Sequence, residues 1–361
     1  MANKKKIALL YGGRSVEHGV SVNSARNIFQ YIDKDRFEVL PIGISKNGQW
    51  FLNTAVSKDI EQGKALGLIL DPHSPGFLLL STGDRIKADM IFPVLHGTDG
   101  EDGSIQGMIK AMDIPMVGTG VLGSSLSMSK IISKRLLKEA GLPVTNFLTY
   151  DFTDKDSIDF DFIKKTLGLP FMVKSASLGS SVGVSKVNDR TDFDKAIEEG
   201  FRYDDAIIVE EYVSGREIEC AVMGNYPPEA SYPGEIVINS KYEFYTFDAK
   251  YVDPEAVEIN VPAKLTSDVA EQIRDVSIKS FLALNCNDFA RVDLFLDKKG
   301  KVYVNEINSI PGFTNSSMFP MMWQERGISF TNLITTLLDL AMARYDRGKR
   351  IERDFQSSLK F

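Results

Sequence analysis

Cysteine is nearly missing from this chain: Cys220 and Cys286 are the two among 361 residues, too few and too far apart for a disulfide framework or a zinc site. Both read as packing residues. Positive charge is in deficit as well. The net charge of -7 leaves no concentrated basic surface of the kind that neutralises nucleic-acid phosphates, so nucleic acid is not an expected partner. No apolar run approaches the roughly 18 residues that span a bilayer, and the run after the first lysines stops at Tyr11-Gly12-Gly13, short of a signal-peptide core. The expectation is no membrane insertion and a cytoplasmic location. The Walker A, HExxH and GxSxG signatures are lacking too, which removes the commonest nucleotide, zinc and serine-hydrolase chemistries.

What is present is enough apolar sequence, 43% with 25% charged, for the whole chain to fold. Single cores rarely grow past roughly 250 to 300 residues, so two or three domains around a cleft are expected. The first part alternates strand and helix: Ile7 to Tyr11, a helix with Val22, Ala25, Ile28, Phe29 and Ile32 on one face, then Phe37 to Ile44. Met90 to Leu95, a helical pattern through Ile105, Met108, Ile109 and Met112, and Ile114 to Val117 continue the theme. This predicts a parallel sheet, which binds ligands at the carboxyl ends of its strands. The stretch Asn47 to Lys87, with the breaker cluster Asp71-Pro72-His73-Ser74-Pro75-Gly76, reads as an irregular excursion. Later strands are expected at Phe171 to Lys174, Ile207 to Glu211, Gly234 to Ile238, Arg291 to Leu296 and Val302 to Asn305, with helices near 129–140, 268–284 and 333–341.

The familiar GxGxxG pattern at Gly118 to Gly123 lacks the acidic residue about twenty positions on that a dinucleotide site needs. A stronger candidate is Phe171-Met172-Val173-Lys174 followed by Ser175-Ala176-Ser177-Leu178-Gly179-Ser180-Ser181-Val182-Gly183. A small-residue loop after a lysine exposes N-H groups and hydroxyls to phosphate oxygens, although a surface loop has the same pattern. Arg291-Val292-Asp293 and Asn305-Glu306-Ile307-Asn308 place hard oxygen donors on neighbouring strands, suited to magnesium; a polar hairpin face with a surface ion pair is the alternative. Glu17-His18, and His96-Gly97 with Glu101-Asp102-Gly103, sit after strands, where both ligands and simple turns occur.

In this order the motifs resemble the D-alanine:D-alanine ligases of the ATP-grasp superfamily, from Ile7 to about Ala341. The similarity is carried by Gly12-Gly13-Arg14-Ser15-Val16-Glu17-His18, Leu95-His96-Gly97 with Gly100-Glu101-Asp102-Gly103, Lys174 with Gly179 to Gly183, and Asn305 to Asn308 with Pro311-Gly312-Phe313-Thr314. It implies an α/β fold, α+β in the ATP-grasp part. An N-terminal parallel-sheet, substrate-binding domain would span 1–125. Two ATP-grasp domains, 126–220 with the phosphate loop and 221–345 with lid and metal site, would enclose the nucleotide ahead of a charged tail, 346–361.

The resemblance further implies ligation of two D-alanine molecules through a D-alanyl phosphate, with ATP as substrate, two Mg2+ or Mn2+ ions, and a homodimer. Lys130 and Lys174 would contact ATP phosphates under the Gly179-Ser180-Ser181 loop, with Lys250 also on the nucleotide. Glu210, Glu211, Tyr212 and Val213 would form the adenine hinge and Glu217 would hold the ribose. Asp293, Glu306 and Asn308 would hold the metal ions, and Arg291 would face the reacting carboxyl group. Glu17 would bind the first ammonium and join Ser180 and Tyr251, while His96, Gly312, Ser317 and Met318 would complete the substrate half. A lid is expected over Lys241 to Val261. Departures from the pattern are Ser175 in place of proline, Phe244-Tyr245-Thr246-Phe247-Asp248-Ala249-Lys250-Tyr251 in place of FYDYEAKY, and Ser309-Ile310. Glu17, His96 and Tyr251 speak against other ATP-grasp ligases, and the complete phosphate and metal set speaks against a non-catalytic relative.

Overall fold

Ile7, Leu9 and Tyr11 on one side of the first strand and Ala8 and Leu10 on the other are all fully buried, as expected of a strand covered on both faces. A computed structural model of the chain describes residues 4–180, 182–239, 257–352 and 354. Ser181, Lys250, Tyr251 and most of the expected lid lie outside the described residues.

The strand β1 (Lys5–Gly12) leads through α1 (His18–Tyr31) to its parallel neighbour β2 (Phe37–Ile44). The segment expected to be irregular instead supplies β3 (Trp50–Leu52), β4 (Lys64–Ile69), β5 (Gly76–Leu79) and β6 (Arg85–Ile86), added one after another, antiparallel, outward from β2. That is a correction with a plain cause. Strands of two to six residues show too little periodicity to read, but an open sheet edge supplies their hydrogen-bond partners; the Pro-Gly cluster is the turn between β4 and β5. The strand β7 (Met90–Val94) pairs parallel on the other side of β1. The expected parallel sheet is therefore mixed, with order β6-β5-β4-β3-β2-β1-β7.

Helices α2 (Ser104–Met112), α3 (Val121–Met128) and α4 (Lys130–Glu139) lead out of this sheet. Ser129 caps α4 by accepting the Ile132 N-H, and Gly141, at a φ of +73°, turns the chain after its end. A second sheet holds β8 (Phe147–Asp151), β9 (Phe171–Ser175), β10 (Val184–Val187) and β11 (Ala206–Glu211) in the antiparallel order β10-β9-β11-β8. Helices α5 (Phe160–Leu167) and α6 (Arg190–Phe201) cover it, packing Phe160, Phe193 and Ile197 onto Phe171 and Ile207.

The third sheet contains β12 (Gly215–Met223), β13 (Glu229–Ala230), β14 (Gly234–Ile238), β15 (Val257–Asn260), β16 (Phe289–Asp297) and β17 (Val302–Asn308). Its order is β15-β14-β12-β16-β17, with β13 beside β12. The expected junction at 220/221 falls inside β12, a strand wholly of this sheet. Helix α7 (Ser267–Ala283) covers one face through Ile273, Val276 and Phe281. After β17 come α8 (Met318–Glu325) and α9 (Phe330–Gly348), whose Trp323, Leu333 and Leu337 join Ile7, Leu9 and Phe92 of the first sheet in one core.

The GxGxxG segment belongs to this packing. Gly118 donates its N-H to Asp288, and a Cβ on Gly123 would lie 2.4 Å from the Asn285 carbonyl oxygen. Asp288, fully buried, also takes Arg344 Nε at 3.1 Å and Nη2 at 2.9 Å, and the same guanidinium donates to the carbonyls of Met116 and Gly118. One arginine of α9 thus ties the first sheet's exit loop to the third sheet. Arg344→Met leaves Asp288 buried and unpaired, so the unfolding free energy should fall by about 3 to 5 kcal/mol. Denaturant unfolding of the variant measures it; a midpoint like that of wild type would refute the clasp.

Candidate active site

The second and third sheets face each other across a cavity of about 390 Å³ lined by Lys130, Lys174, Gly179, Glu210 to Val213, Glu217, Asp293 and Glu306. All but Asp293 and Glu306, which were expected to hold metal ions, are residues expected to take ATP. Lys174 ends its run on β9 with Nζ 2.9 Å from Glu210 Oε2 and 3.1 Å from Asn305 Oδ1, while Lys134 of α4 reaches Glu210 Oε1 at 3.0 Å. The Lys134 and Glu210 side chains are 1% and 2% exposed. Burial alone would raise the Glu210 carboxyl, yet the two ammonium groups hold it down to about 2. Burial lowers Lys134, against the pull of Glu210. For Lys174 burial is overcome by Glu210, then Glu306, so its ammonium is held above the ordinary lysine value. The Glu210 carboxylate is thus a counter-charge beneath the cavity, leaving Lys174 charged for a phosphate.

Glu211 receives the N-H and side-chain amide of Asn146. Tyr212 lies under the Lys186 ammonium, 4.8 Å from the ring centre. Lys130, at the start of α4, donates to the Leu178 carbonyl and stands 3.3 Å from Glu306 Oε2.

The oxygen donors come from a row across three strands. Glu219 of β12 is opposite Asp293 of β16, which is opposite Glu306 of β17, and two residues along on the same face Ala221 is opposite Arg291, which is opposite Asn308. Strict alternation would not permit this. Val302 and Val304 are buried in the core, so Glu306 and Asn308 would follow them inward. The register instead shifts between Asp293 and Leu294: Leu294 pairs with Val304 and Asp293 with Glu306, making Asn305 the extra residue of a bulge. Ile307 then takes the core position, and Glu306 and Asn308 join Asp293. Arg291 holds Asp293 by two hydrogen bonds of 2.7 Å, and Asn308 Nδ2 donates to Asp293 Oδ2 at 2.9 Å. Among the described residues no three His, Cys, Asp or Glu side chains form a ready metal cluster. Two carboxylates with the Asn308 carbonyl still suit Mg2+, which binds through few protein oxygens plus phosphates and water.

A second cavity of about 310 Å³ shares Glu219 and Glu306 with the first and reaches Glu17, His96, Glu101, Ser180, Arg291, Gly312, Ser317 and Met318. Glu17 stands just before α1 and accepts the Ser180 hydroxyl; Ser180 holds a φ of +55°, a left-handed strain that aims its hydroxyl across the cleft. Gly97, at +75°, is as small as it must be: a Cβ there would lie 2.8 Å from Glu17 Oε2.

His96 faces the Ile310 carbonyl with Nδ1 at 2.9 Å and Ser24 Oγ with Nε2 at 3.1 Å, and the Phe313 N-H donates to Ser24. A carbonyl can only accept, so Nδ1 carries the proton, and burial lowers the imidazole pKa, which keeps it neutral. Ser317 and Met318 stand at the start of α8, whose first-turn N-H groups favour a carboxylate, and Gly312 lies in the loop before it. Met318 is buried and supplies an apolar wall.

The described residues therefore gather every expected site residue around two adjoining cavities; Ser181, Lys250 and Tyr251 fall outside them. Sequence reading missed Lys134, Asn305 and Glu219. Glu219 was within reach, since period two puts it on the same face as Glu217; the bulge residue Asn305 was not.

Profiles of known families match twice: the D-ala D-ala ligase N-terminus over residues 6–119 and the D-ala D-ala ligase C-terminus over residues 136–339. The chain is 46% identical to a D-alanine--D-alanine ligase of Shouchella clausii, across 97% of this chain and 98% of that one. Among solved structures it resembles the D-alanine-D-alanine ligase of Coxiella burnetii, with a TM-score of 0.86, 36% identity and 97% of both chains covered. It also resembles a D-Ala:D-Ser ligase of Enterococcus faecalis, with a TM-score of 0.85, 33% identity, and 94% and 100% coverage.

Glu101 accepts the N-H of Gly97 at 2.8 Å and of Ile310 at 3.0 Å. Burial first, then the Glu17 charge, pushes its carboxyl up from 4.5 to about 8. The folded protein thus keeps a proton that the unfolded chain releases above 4.5, so this group makes stability fall as pH rises toward about 8. Urea unfolding between these limits should show a shallower decline in Glu101→Gln than in wild type. Parallel curves would show that Glu101 is not the titrating group.

Proposed function

The chain belongs to the D-alanine--D-alanine ligase family, and on that premise we propose that it joins two D-alanine molecules at the expense of ATP, for peptidoglycan precursor synthesis. The observation that carries this reading is the meeting of two cavities at Glu219 and Glu306, one walled by lysines and a small-residue loop, the other by Glu17, Arg291 and a helix start. The chemistry needs such a junction. A carboxylate is a poor acylating agent, so an oxygen of the first D-alanine attacks the γ-phosphorus, ADP leaves, and an acyl phosphate results. The second amine, after losing its proton, attacks the carbonyl carbon, and inorganic phosphate departs with the carbon-oxygen bond electrons.

Lys130 and Lys174 meet the phosphate oxygens, Glu210 to Val213 border the base, and Glu217 takes the ribose. Arg291 faces the oxygens where negative charge builds up in both steps. Glu17 holds the first ammonium and, with Ser180, begins the hydrogen-bonded set that Tyr251 would complete. Asp293, Glu306 and Asn308 are the residues that would hold two Mg2+ or Mn2+ ions, which supply charge neutralisation at the phosphoryl oxygens when bound. The walls of the second cavity keep water from the acyl phosphate, and a lid from 241–261 with Lys250 on the nucleotide would complete the enclosure. A homodimer, as the resemblance implies, is part of the same proposal. No helix among the described residues is long and apolar enough to cross a membrane.

If Glu306 supplies metal-held charge, Glu306→Gln should lower turnover by about a hundredfold or more with the fold retained, the scale expected for losing such stabilisation. Steady-state phosphate release with circular dichroism tests it, and undiminished turnover with an unchanged magnesium requirement would exclude the role.

The similarity to a D-Ala:D-Ser ligase gives the acceptor a second reading. Met318 argues for D-alanine: its buried thioether suits a methyl group and leaves a serine hydroxyl unpaired. Tyr251 argues against the hydroxy acid D-lactate, because a phenol joined to Ser180 and Glu17, as the resemblance implies, would help an ammonium lose its proton. With D-alanine as donor near neutral pH, D-alanine should therefore outrun D-serine and D-lactate as acceptor. Faster product formation with either rival overturns the assignment.

A further inference from the structure

Arg291 stands between two carboxylates. Its Nε lies 2.7 Å from Asp293 Oδ1 and 3.0 Å from Glu219 Oε2, and the hydrogen bond goes to Asp293. A guanidinium Nε carries a single hydrogen, so one of the two oxygens receives it at a time. The Glu219 side chain is 6% exposed and walls both cavities, and its strand partner is Asp293 itself. Opposite Arg291 on the same strand is Ala221, whose size leaves room for the guanidinium to lean toward β12.

These contacts conflict with metal binding by Asp293. As long as Arg291 grips both Asp293 oxygens, through Nε and Nη2, a cation must compete with it. Releasing the arginine without another anion would leave a buried charge unpaired, a costly state. We propose that Glu219 is a positioning residue for Arg291: when Asp293 turns to a divalent cation, the Nε-H of Arg291 donates its hydrogen bond to Glu219 instead. The guanidinium then stays at the boundary of the two cavities, facing the transferred phosphoryl and carbonyl oxygens. Glu219 touches neither substrate nor metal in this scheme and acts through the arginine. The inference rests on the reading of Asp293 as a metal ligand and deepens it.

The test is a double-mutant cycle read by metal binding. Mn2+ is titrated into the full chain with ADP bound, and free Mn2+ is followed by electron paramagnetic resonance, for wild type, Glu219→Gln, Arg291→Met and the double variant. Glu219→Gln should weaken Mn2+ about tenfold where Arg291 is present, the scale of coupling between touching side chains, and by less than about twofold in the Arg291→Met background. Equal weakening in both backgrounds would mean that Glu219 acts on the cation directly, and the inference fails. If wild type binds no Mn2+, or Asp293→Asn binds it as well as wild type, the metal reading itself fails and takes the inference with it. Should Glu219→Gln not fold, Glu219→Asp, which withdraws the charge by one methylene, reads the same coupling. In steady state, kcat should fall with the KM for ATP little changed, whereas a merely structural role would move neither selectively.

Discussion

A single inserted residue in one strand decides whether Glu306 and Asn308 face the cavities or the core. Val302 and Val304 point into the packing between the third sheet and α7, and an unbroken strand would send Glu306 and Asn308 after them. Burying that carboxylate among Val292, Leu294 and Ile273 would cost far more than one bulge, since an unpaired buried charge is among the least tolerated groups in an interior. The bulge at Asn305 shifts the face once, lets Ile307 fill the core position, and brings Glu306 opposite Asp293. The extra residue also gains a partner, since its carboxamide oxygen receives Lys174. The register shift thus joins Lys174 of the second sheet to the third sheet's carboxylates.

Once these groups share a cleft, charge balance governs the rest. Lys134 and Lys174 close on Glu210, Lys130 on Glu306, and Arg291 on Asp293 and Glu219. Such pairings offset the desolvation that each charge suffers in the cavity walls. Glu210 keeps Lys134 as a second partner, so it would stay paired if Lys174 turned to another anion. The Glu210 carboxyl, held down to about 2, stays ionised through any working pH, so the cleft keeps its counter-charge whether or not nucleotide is present.

Much of this was legible in sequence, and what was not has physical reasons. The lysine-led loop and the Glu306-Asn308 pair stood out because phosphate and metal chemistry call for those residue types near one another, whereas Met318 was named only through the family resemblance. The run from Asn47 to Lys87 was misread because β3 and β6 are three and two residues long and owe their structure to the edge of β2. The last strand was expected to stop at Asn305, three residues early, because a bulge interrupts the period on which strand reading depends. Lys134 was invisible for a different reason: nothing in a helix sequence tells a lysine buried against a glutamate on a distant strand from one in solvent.

The substrate cavity depends on packing far from it. Ile310 is gripped at both ends of its backbone by the first domain, its carbonyl by His96 and its N-H by Glu101, and Phe313 follows three residues later. Phe313 sits edge-on to Phe92 of β7 and to Phe289 of β16, at 6.1 and 5.6 Å between ring centres. Its N-H is held by Ser24 of α1. The loop that presents Gly312 is therefore fixed on one side by aromatic packing and on the other by hydrogen bonds to residues more than two hundred positions earlier. Loosening either would move Gly312 relative to Arg291 across the second cavity, and reactions at such a site lose rate steeply with misplacement on the order of 1 Å. The first domain lends Glu17 and His96 to the wall of that cavity, but its larger physical role is to hold the other domain's loop in place.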